Sequence, residues 1–300
     1  MREVLRSGLD YLETMTTLLQ RMRNSHPTKG LYEAAEIQFW WARPRSTDDL
    51  PQLFWLDDND LPVAAVTTTD FGAGASSILY DEPTSIFAFM PDTPADFVSQ
   101  AVALALEHLG DHGISKVDAE CDRADEMMRH VLFDQGFSVK EERVMEEAWL
   151  PVDQRPATSE LPDGYALLSR AEMLDRPHHL TRSNGADPEQ RLRTTSLYRP
   201  DLDLVVVDSS DQVAAYGMFW HDPATGVGVV EPMRTMDDHQ GRGLARHILT
   251  NGIERLAKAG STRISIGYDP GHNASGPLYR SVGFEPHRTN DLLTIQTRWT

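Results

Sequence analysis

The sequence predicts a mixed α/β (α+β) fold built as two tandem domains, each a mixed, mostly antiparallel sheet flanked by helices. Three observations predict it. The chain has 300 residues, which suits two cores of about 150 residues better than one. A polar, proline-rich stretch, PVDQRPATSELPDG (Pro151 to Gly164), interrupts the periodic pattern as a linker would. The order of elements on its two sides is alike. The expected bounds are 1–150 for the first domain, 151–163 for the linker and 164–300 for the second.

The second half carries the clearer pattern. GYALLSR reads as a strand, PEQRLRTTSLY as a helix, and LDLVVVD, VAAYGMFW and VGVVEPMRT as strands. GRGLARHILTNGIERLAKAG reads as a helix with Leu244, Ile248, Ile253 and Leu256 on one face and Gly260 as its stop. The strand RISIGYD, a short helix in NASGPLYRSVG and a last strand or hairpin from Phe284 complete the order. An ungapped shift that carries Gly113 onto Gly260 lays the first half on this pattern. KVDAECD then falls on RISIGYD, and Gly136–Phe137 on Gly283–Phe284. A long amphipathic helix, about Arg2 to Asn24, opens the first copy, and Trp40 and Trp41 are expected in the first domain's core.

Charge narrows the partners. The net charge of −18 lies mainly in the first half, where residues 1–150 hold 12 Lys+Arg against 27 Asp+Glu; residues 151–300 hold 16 against 19. Nucleic acid is excluded as a partner, because phosphate backbones require a basic face. A cationic substrate would be attracted, although such charge serves solubility equally well. One cysteine, Cys121, leaves no intrachain disulfide and no cysteine-rich zinc site. The start has acidic residues where a signal peptide needs an apolar core, and no apolar run reaches about 18 residues. The expectation is a soluble cytoplasmic protein, monomer or homodimer, with no membrane partner.

The two copies differ where chemistry would sit. Opposite QGRGLA (Gln240 to Ala245) the first copy has TPADFV, opposite Tyr279 it has Leu132, and opposite Asn273 it has Glu126. A helix start leaves backbone N–H groups unpaired and carries partial positive charge. Glycines at 241 and 243 would let a bulky anion approach that backbone, with Arg242 and Arg246 adding cations. An ordinary flexible helix start explains the pattern as well. Neither a dinucleotide fingerprint nor a Walker loop fits, since position 246 is Arg and no Lys-Ser/Thr follows.

A strand running through a short turn into Gln240-x-x-Gly243-x-Ala245, followed downstream by NASGPLYRSVGFEP, resembles the GCN5-related N-acetyltransferase (GNAT) family. The specific match covers about 60 residues of the second half. The resemblance implies two tandem GNAT-like domains, the first without its cofactor motif. It implies acetyl-CoA as co-substrate and no metal, with the pyrophosphate on the backbone of Gln240, Gly241, Arg242, Gly243, Leu244, Ala245 and Arg246, and Asn273 on the pantetheine side. Backbone N–H groups from Met233, Arg234 and Thr235 would face the thioester carbonyl. Tyr279 is the implied proton donor to the leaving thiolate, and Glu231, on the strand before the loop, the candidate base. Each has a structural reading beside it: Tyr279 as a core residue, Glu231 as a surface strand residue. Pro232 is expected to break ladder pairing beside Glu231.

The function expected is direct transfer of acetyl from acetyl-CoA to a primary amine of a small molecule or peptide. The alternatives are a non-catalytic acyl-CoA sensor and a scaffold. His178 and His179, adjacent and without a third ligand in the sequence, are read as no metal site, and Asp237, Asp238 and His239 as turn-formers. No nucleophile elbow is present.

Overall fold

A computed structural model describes residues 1–72, 82–181 and 188–296. The chain divides into two compact units. The first comprises Met1–Ile37, Arg43–Met145 and the segment from Arg288 on; the second comprises Gln38–Ala42 and Glu146–His287.

In the first unit the sheet runs in the order β1 (Arg2–Arg6), β2 (Gln52–Leu56), β3 (Pro62–Thr69), β4 (Thr84–Phe89), β5 (Lys116–Asp122) and then β12 (Glu285–Gln296), whose residues from Asn290 on pair with β5. Every neighbouring pair is antiparallel except β4 with β5, which are parallel and meet only at Thr84–Ser85. Helices α1 (Gly8–Ser25), α3 (Ala95–Asp111) and α4 (Glu126–Asp134) belong to this unit, and α3 and α4 pack on an apolar core that includes Trp55, Val98, Val102, Cys121 and Leu132. The helix expected from Arg2 begins only at Gly8. Gly8 has φ +58, and residues 2–6 alternate in exposure and pair in full with β2, so this edge segment gains more as a strand.

In the second unit the order is β7 (Tyr165–Ser169), β8 (Asp203–Asp208), β9 (Val213–Asp222), β10 (Val227–Thr235), β11 (Arg263–Tyr268) and β6 (Ser138–Pro151), whose residues from Glu146 on pair with β11. Here too one pair, β10 with β11, is parallel and the rest are antiparallel. Helix α6 (Leu244–Ala259) lies on this sheet through Leu244, Ile248, Leu249, Ile253 and Leu256, all nearly inaccessible to solvent. Its close approach depends on Gly252, where a Cβ would stand 2.0 Å from the Phe219 ring. Gly260, φ +104, ends it in the left-handed conformation.

The expected domain bounds therefore differ from the compact units. The ladder decides this: β6 from Glu146 is bound to β11 and β12 from Asn290 to β5, so a division at 151 or 164 would cut paired strands. Nor is 151–163 a free linker. Val152 is buried, the Ser159 N–H donates to Thr250 Oγ1, and the Ser159 carbonyl lies 2.6 Å from His247 Nδ1 on α6. Trp40 and Trp41, expected in the first core, end α2 (Ala34–Trp41) inside the second unit. There Gln38 bonds Ser196 Oγ and the Leu197 N–H, and the Arg191 guanidinium stacks 3.9 Å from the Trp41 ring centre. The helix expected over 188–198 shrinks to α5 (Glu189–Leu192), since the hydroxyls of Thr194 and Thr195 donate to the Arg191 and Leu192 carbonyls and end it. The last helix is α7 (Ser275–Ser281).

Candidate functional site

The site begins with a strand that loses its neighbour. Strands β10 and β11 pair only over Val227–Val229, while β11 pairs with β6 as far as Tyr268. On the other side, the β9 register shifts between Val230 and Met233. Glu231 and Pro232, joined by a cis peptide bond, occupy this irregularity. Pro232 has no N–H to give a ladder, and the Glu231 carbonyl accepts from Trp220 Nε1 at 2.7 Å. Beyond it, pairing with β9 resumes at Met233–Gly217 and runs to the Met236 N–H, which donates to the Ala214 carbonyl.

Alternation along a strand then assigns the backbone groups. With Met236 turned to β9, Arg234 is also turned to β9, whereas Met233 and Thr235 direct their N–H and carbonyl groups to the side that β11 has left. The expectation that all three of Met233, Arg234 and Thr235 offer backbone donors is corrected for Arg234: the ladder uses its N–H. The Thr235 hydroxyl is buried without a partner.

After the short turn Asp237–His239, the chain enters α6 through Gln240 to Gly243. Gly241 (φ +72) and Gly243 (φ +82) are left-handed, with nothing within 4 Å of where a Cβ would be. The helix start has no side-chain cap and no acid in its first turn, so no side chain satisfies its first amides. Gln240, Gly241, Arg242 and Gly243 are exposed, Leu244 is buried, and Ala245 and Arg246 lie between. Arg246 donates to Ser281 Oγ at 2.7 Å, tying α6 to α7. Asn273 sits exposed in the turn between β11 and α7.

Tyr279 on α7 packs in the same apolar cluster as Val230, Leu244 and Ile248. Its ring lies 5.3 Å from Tyr268 and 6.2 Å from Phe284. Burial, then the charge of Glu231, then Tyr268 raise its pKa well above the usual phenol value. Its hydroxyl has no hydrogen-bond partner among the described residues, yet it is absent from the buried unpartnered atoms, so it reaches accessible space. Glu231 keeps some accessible surface, but protein surrounds its carboxyl, and that burial pushes its pKa up to about 7. Tyr268 and Glu146 buttress this corner through a 2.6 Å hydrogen bond; burial and that bond push Tyr268 up to about 12. Sequence reasoning missed this pair, because Glu146 lies beyond any local motif and only the β6–β11 ladder brings it close.

Among the described residues of the first unit, α3 follows Pro94 and has Asp96 in its first turn, in place of two glycines and no acid. On β4, Phe87 packs edge-on to Phe137 at 6.0 Å and Phe89 to Phe97 at 6.5 Å.

His178 and His179 need a correction. They lie outside helix, their rings 4.3 Å apart, and Asp203 completes a cluster that could in principle hold a metal. The donor set argues against one. His178 Nδ1 accepts from the Leu180 N–H, so its Nε2 carries the proton and points at Asp203 Oδ2, 2.9 Å away. Tyr198 donates to the same oxygen. Only His179 and Asp203 Oδ1 are left to bind, fewer than a zinc site uses. Burial pushes the His179 pKa down to about 4.

The model of the acetyltransferase (GNAT) family matches residues 168–284. No curated protein matches the chain. Solved structures share its fold at low identity. A tandem GNAT protein from the clavulanic acid biosynthesis pathway, determined without AcCoA, is 11% identical with a TM-score of 0.71, covering 100% of this chain and 99% of its own. A GCN5-related N-acetyltransferase from Sphaerobacter thermophilus is 14% identical with a TM-score of 0.58, covering 99% and 96%. A GNAT-family acetyltransferase from Colwellia psychrerythraea is 12% identical with a TM-score of 0.55, covering 98% and 99%.

Proposed function

We propose that this chain, whose residues 168–284 match the model of the acetyltransferase (GNAT) family, transfers an acetyl group from acetyl-CoA directly to a primary amine in a ternary complex. The acceptor is a small molecule or peptide amine, with a cationic one favoured by the net charge of −18. The observation that carries the reading is the meeting of Glu231 and Tyr279 at the open end of β10, beside an uncapped helix start.

The residues fit the cofactor. Glycines 241 and 243 leave room that any Cβ would take, and the free amides of α6 suit a pyrophosphate. Gln240, Arg242, Leu244, Ala245 and Arg246 complete that cradle, and Asn273 serves the pantetheine side. When bound, acetyl-CoA supplies an activated acetyl thioester. The N–H groups of Met233 and Thr235 lie toward the open side, where they would stabilise charge on the acyl oxygen. Glu231, poised near pH 7, accepts the amine proton. Tyr279 keeps its proton at neutral pH and gives it to the departing sulfur. The buried Cys121, its pKa pushed up to about 12 mainly by burial, is unsuited to form an acyl-enzyme.

The first unit is a supporting domain without its own cofactor. The enzyme is proposed to work in the cytoplasm, in keeping with the absence of any membrane-crossing helix among the described residues. The direct test is thiol release from acetyl-CoA on adding a panel of primary amines. Amine-dependent release that Glu231→Gln and Tyr279→Phe proteins lose while still binding CoA supports the reading. Tight CoA binding with no release across the panel favours the sensor.

A further inference from the structure

Beside the uncapped start of α6, two hydrogen bonds join three side chains of one unit, and a fourth, a carboxylate, faces the end of that row. Arg242 Nη1 donates to Tyr165 Oη at 3.0 Å. Tyr165 Oη lies 3.0 Å from His239 Nδ1, and the two rings meet edge to face at 5.7 Å. His239 Nε2 faces Asp208 Oδ2 at 3.9 Å. One donor direction satisfies every link. The tyrosine hydroxyl, already accepting from the guanidinium, donates to Nδ1, which leaves the imidazole proton on Nε2 toward the carboxylate. The two hydrogen bonds share the Tyr165 hydroxyl and so polarise one another, with the guanidinium at one end and the Asp208 carboxylate facing the other.

The anionic end is itself fixed. Asp208 Oδ1 accepts from the N–H groups of Ser210 and Gln212, at 2.8 and 3.0 Å, and those backbone bonds, the Gln212 one foremost, hold its pKa below the usual carboxylate value. Asp208 also pairs with Tyr165 in the β7–β8 ladder, so these two members stand on the sheet. At the other end, Arg242 Nη2 donates to the Asp238 carbonyl at 3.0 Å. An exposed arginine loses rotamer freedom on binding an anion. Here two of its five N–H donors are already engaged and the others remain for a ligand.

We infer that Tyr165 and His239 are positioning residues, which brace Arg242 against the sheet so that its guanidinium stands ready for a phosphate of CoA. The inference rests on the proposed function, since the ligand is the cofactor of that reading. A merely structural Tyr165 would hold the turn and leave Arg242 indifferent to its hydroxyl.

A double-mutant cycle on the full chain separates the two. Titration with CoA gives Kd for wild type, Tyr165→Phe, Arg242→Ala and the double variant, with thermal unfolding recorded for each. Tyr165→Phe keeps the ring and removes only the hydroxyl. The brace predicts that it weakens CoA binding about threefold to tenfold in the wild-type background, the net worth of one typical hydrogen bond, and has no effect when Arg242 is already alanine. Equal losses in both backgrounds, or no loss in a folded Tyr165→Phe protein, overturn the brace while the acetyltransferase reading stands. Absence of CoA binding by the wild type overturns both.

Discussion

Glu231 and Tyr279 stand close enough for the carboxylate charge to help raise the tyrosine pKa. The coupling makes Tyr279 a weaker acid but ensures that it still holds its proton when the thiolate departs. Burial lifts Glu231 to about 7, where it exchanges a proton near neutral pH, and the same charge keeps Tyr279 a phenol over the whole working range. A base that is half ionised and an acid that never loses its proton by itself are what amine acylation needs.

The pH profile should show this. The acceptor kcat/KM is expected to rise through about pH 7 as Glu231 ionises, and to fall about 10²-fold in Glu231→Gln, with partial recovery at higher pH as the amine arrives deprotonated. Tyr279→Phe should lower kcat by up to about 10²-fold with KM for acetyl-CoA within a few-fold. Normal turnover by a well-folded Tyr279→Phe protein would remove the proton-donor role.

The phosphate cradle can be closed from inside. Gly243→Glu puts a side chain and a negative charge into open space at a left-handed position. CoA affinity is expected to drop at least about tenfold while the far-ultraviolet spectrum is kept. Calorimetric titration measures it, and unchanged affinity would contradict the cradle.

The same titration counts sites. One CoA per chain is expected, because the first unit's α3 follows Pro94 and puts Asp96 in its first turn, where an anion would be repelled. A stoichiometry of two would show that this unit binds as well.

Gly252→Ala tests how α6 meets the sheet. The added methyl would collide with the Phe219 ring, 2.0 Å away, which outweighs the roughly 1 kcal/mol that alanine gains over glycine within a helix. Net destabilisation of about 1–3 kcal/mol is expected in denaturant unfolding, and a more stable protein would show that the ring yields.

Local pattern made much of the second unit legible. Two glycines before a helix start and a strand interrupted at Glu231-Pro232 are local signals, and both appear in the structure where the pattern puts them. What was not legible is non-local. Nothing near Asn290 shows that its partner is Asp122, and nothing near Glu146 shows that it reaches Tyr268. The helix expected from Arg2 failed because the periodicity of residues 8–25 was extended over a segment that pairs with β2. Trp40 and Trp41 were assigned by their place in the sequence, whereas the Gln38 amide and the Arg191 stack decide where they pack.

The buried carboxyl leaves a further mark, on stability. Glu231 has a folded pKa of about 7 against an ordinary value of 4.5, and burial is the cause. Between those values the folded state holds a proton that the unfolded state has released, so stability falls as pH rises. The favourable contribution is fully present below about 4.5 and lost as pH passes through 7. Glu231→Gln keeps the shape and cannot ionise. It is therefore expected to match the wild type in melting temperature near pH 4.5, to exceed it increasingly up to about pH 7 and to keep that margin above, by thermal unfolding in the absence of CoA. A constant difference across that range would mean that folding leaves the Glu231 pKa at its ordinary value, and the general base poised near neutral pH would then have to be sought elsewhere.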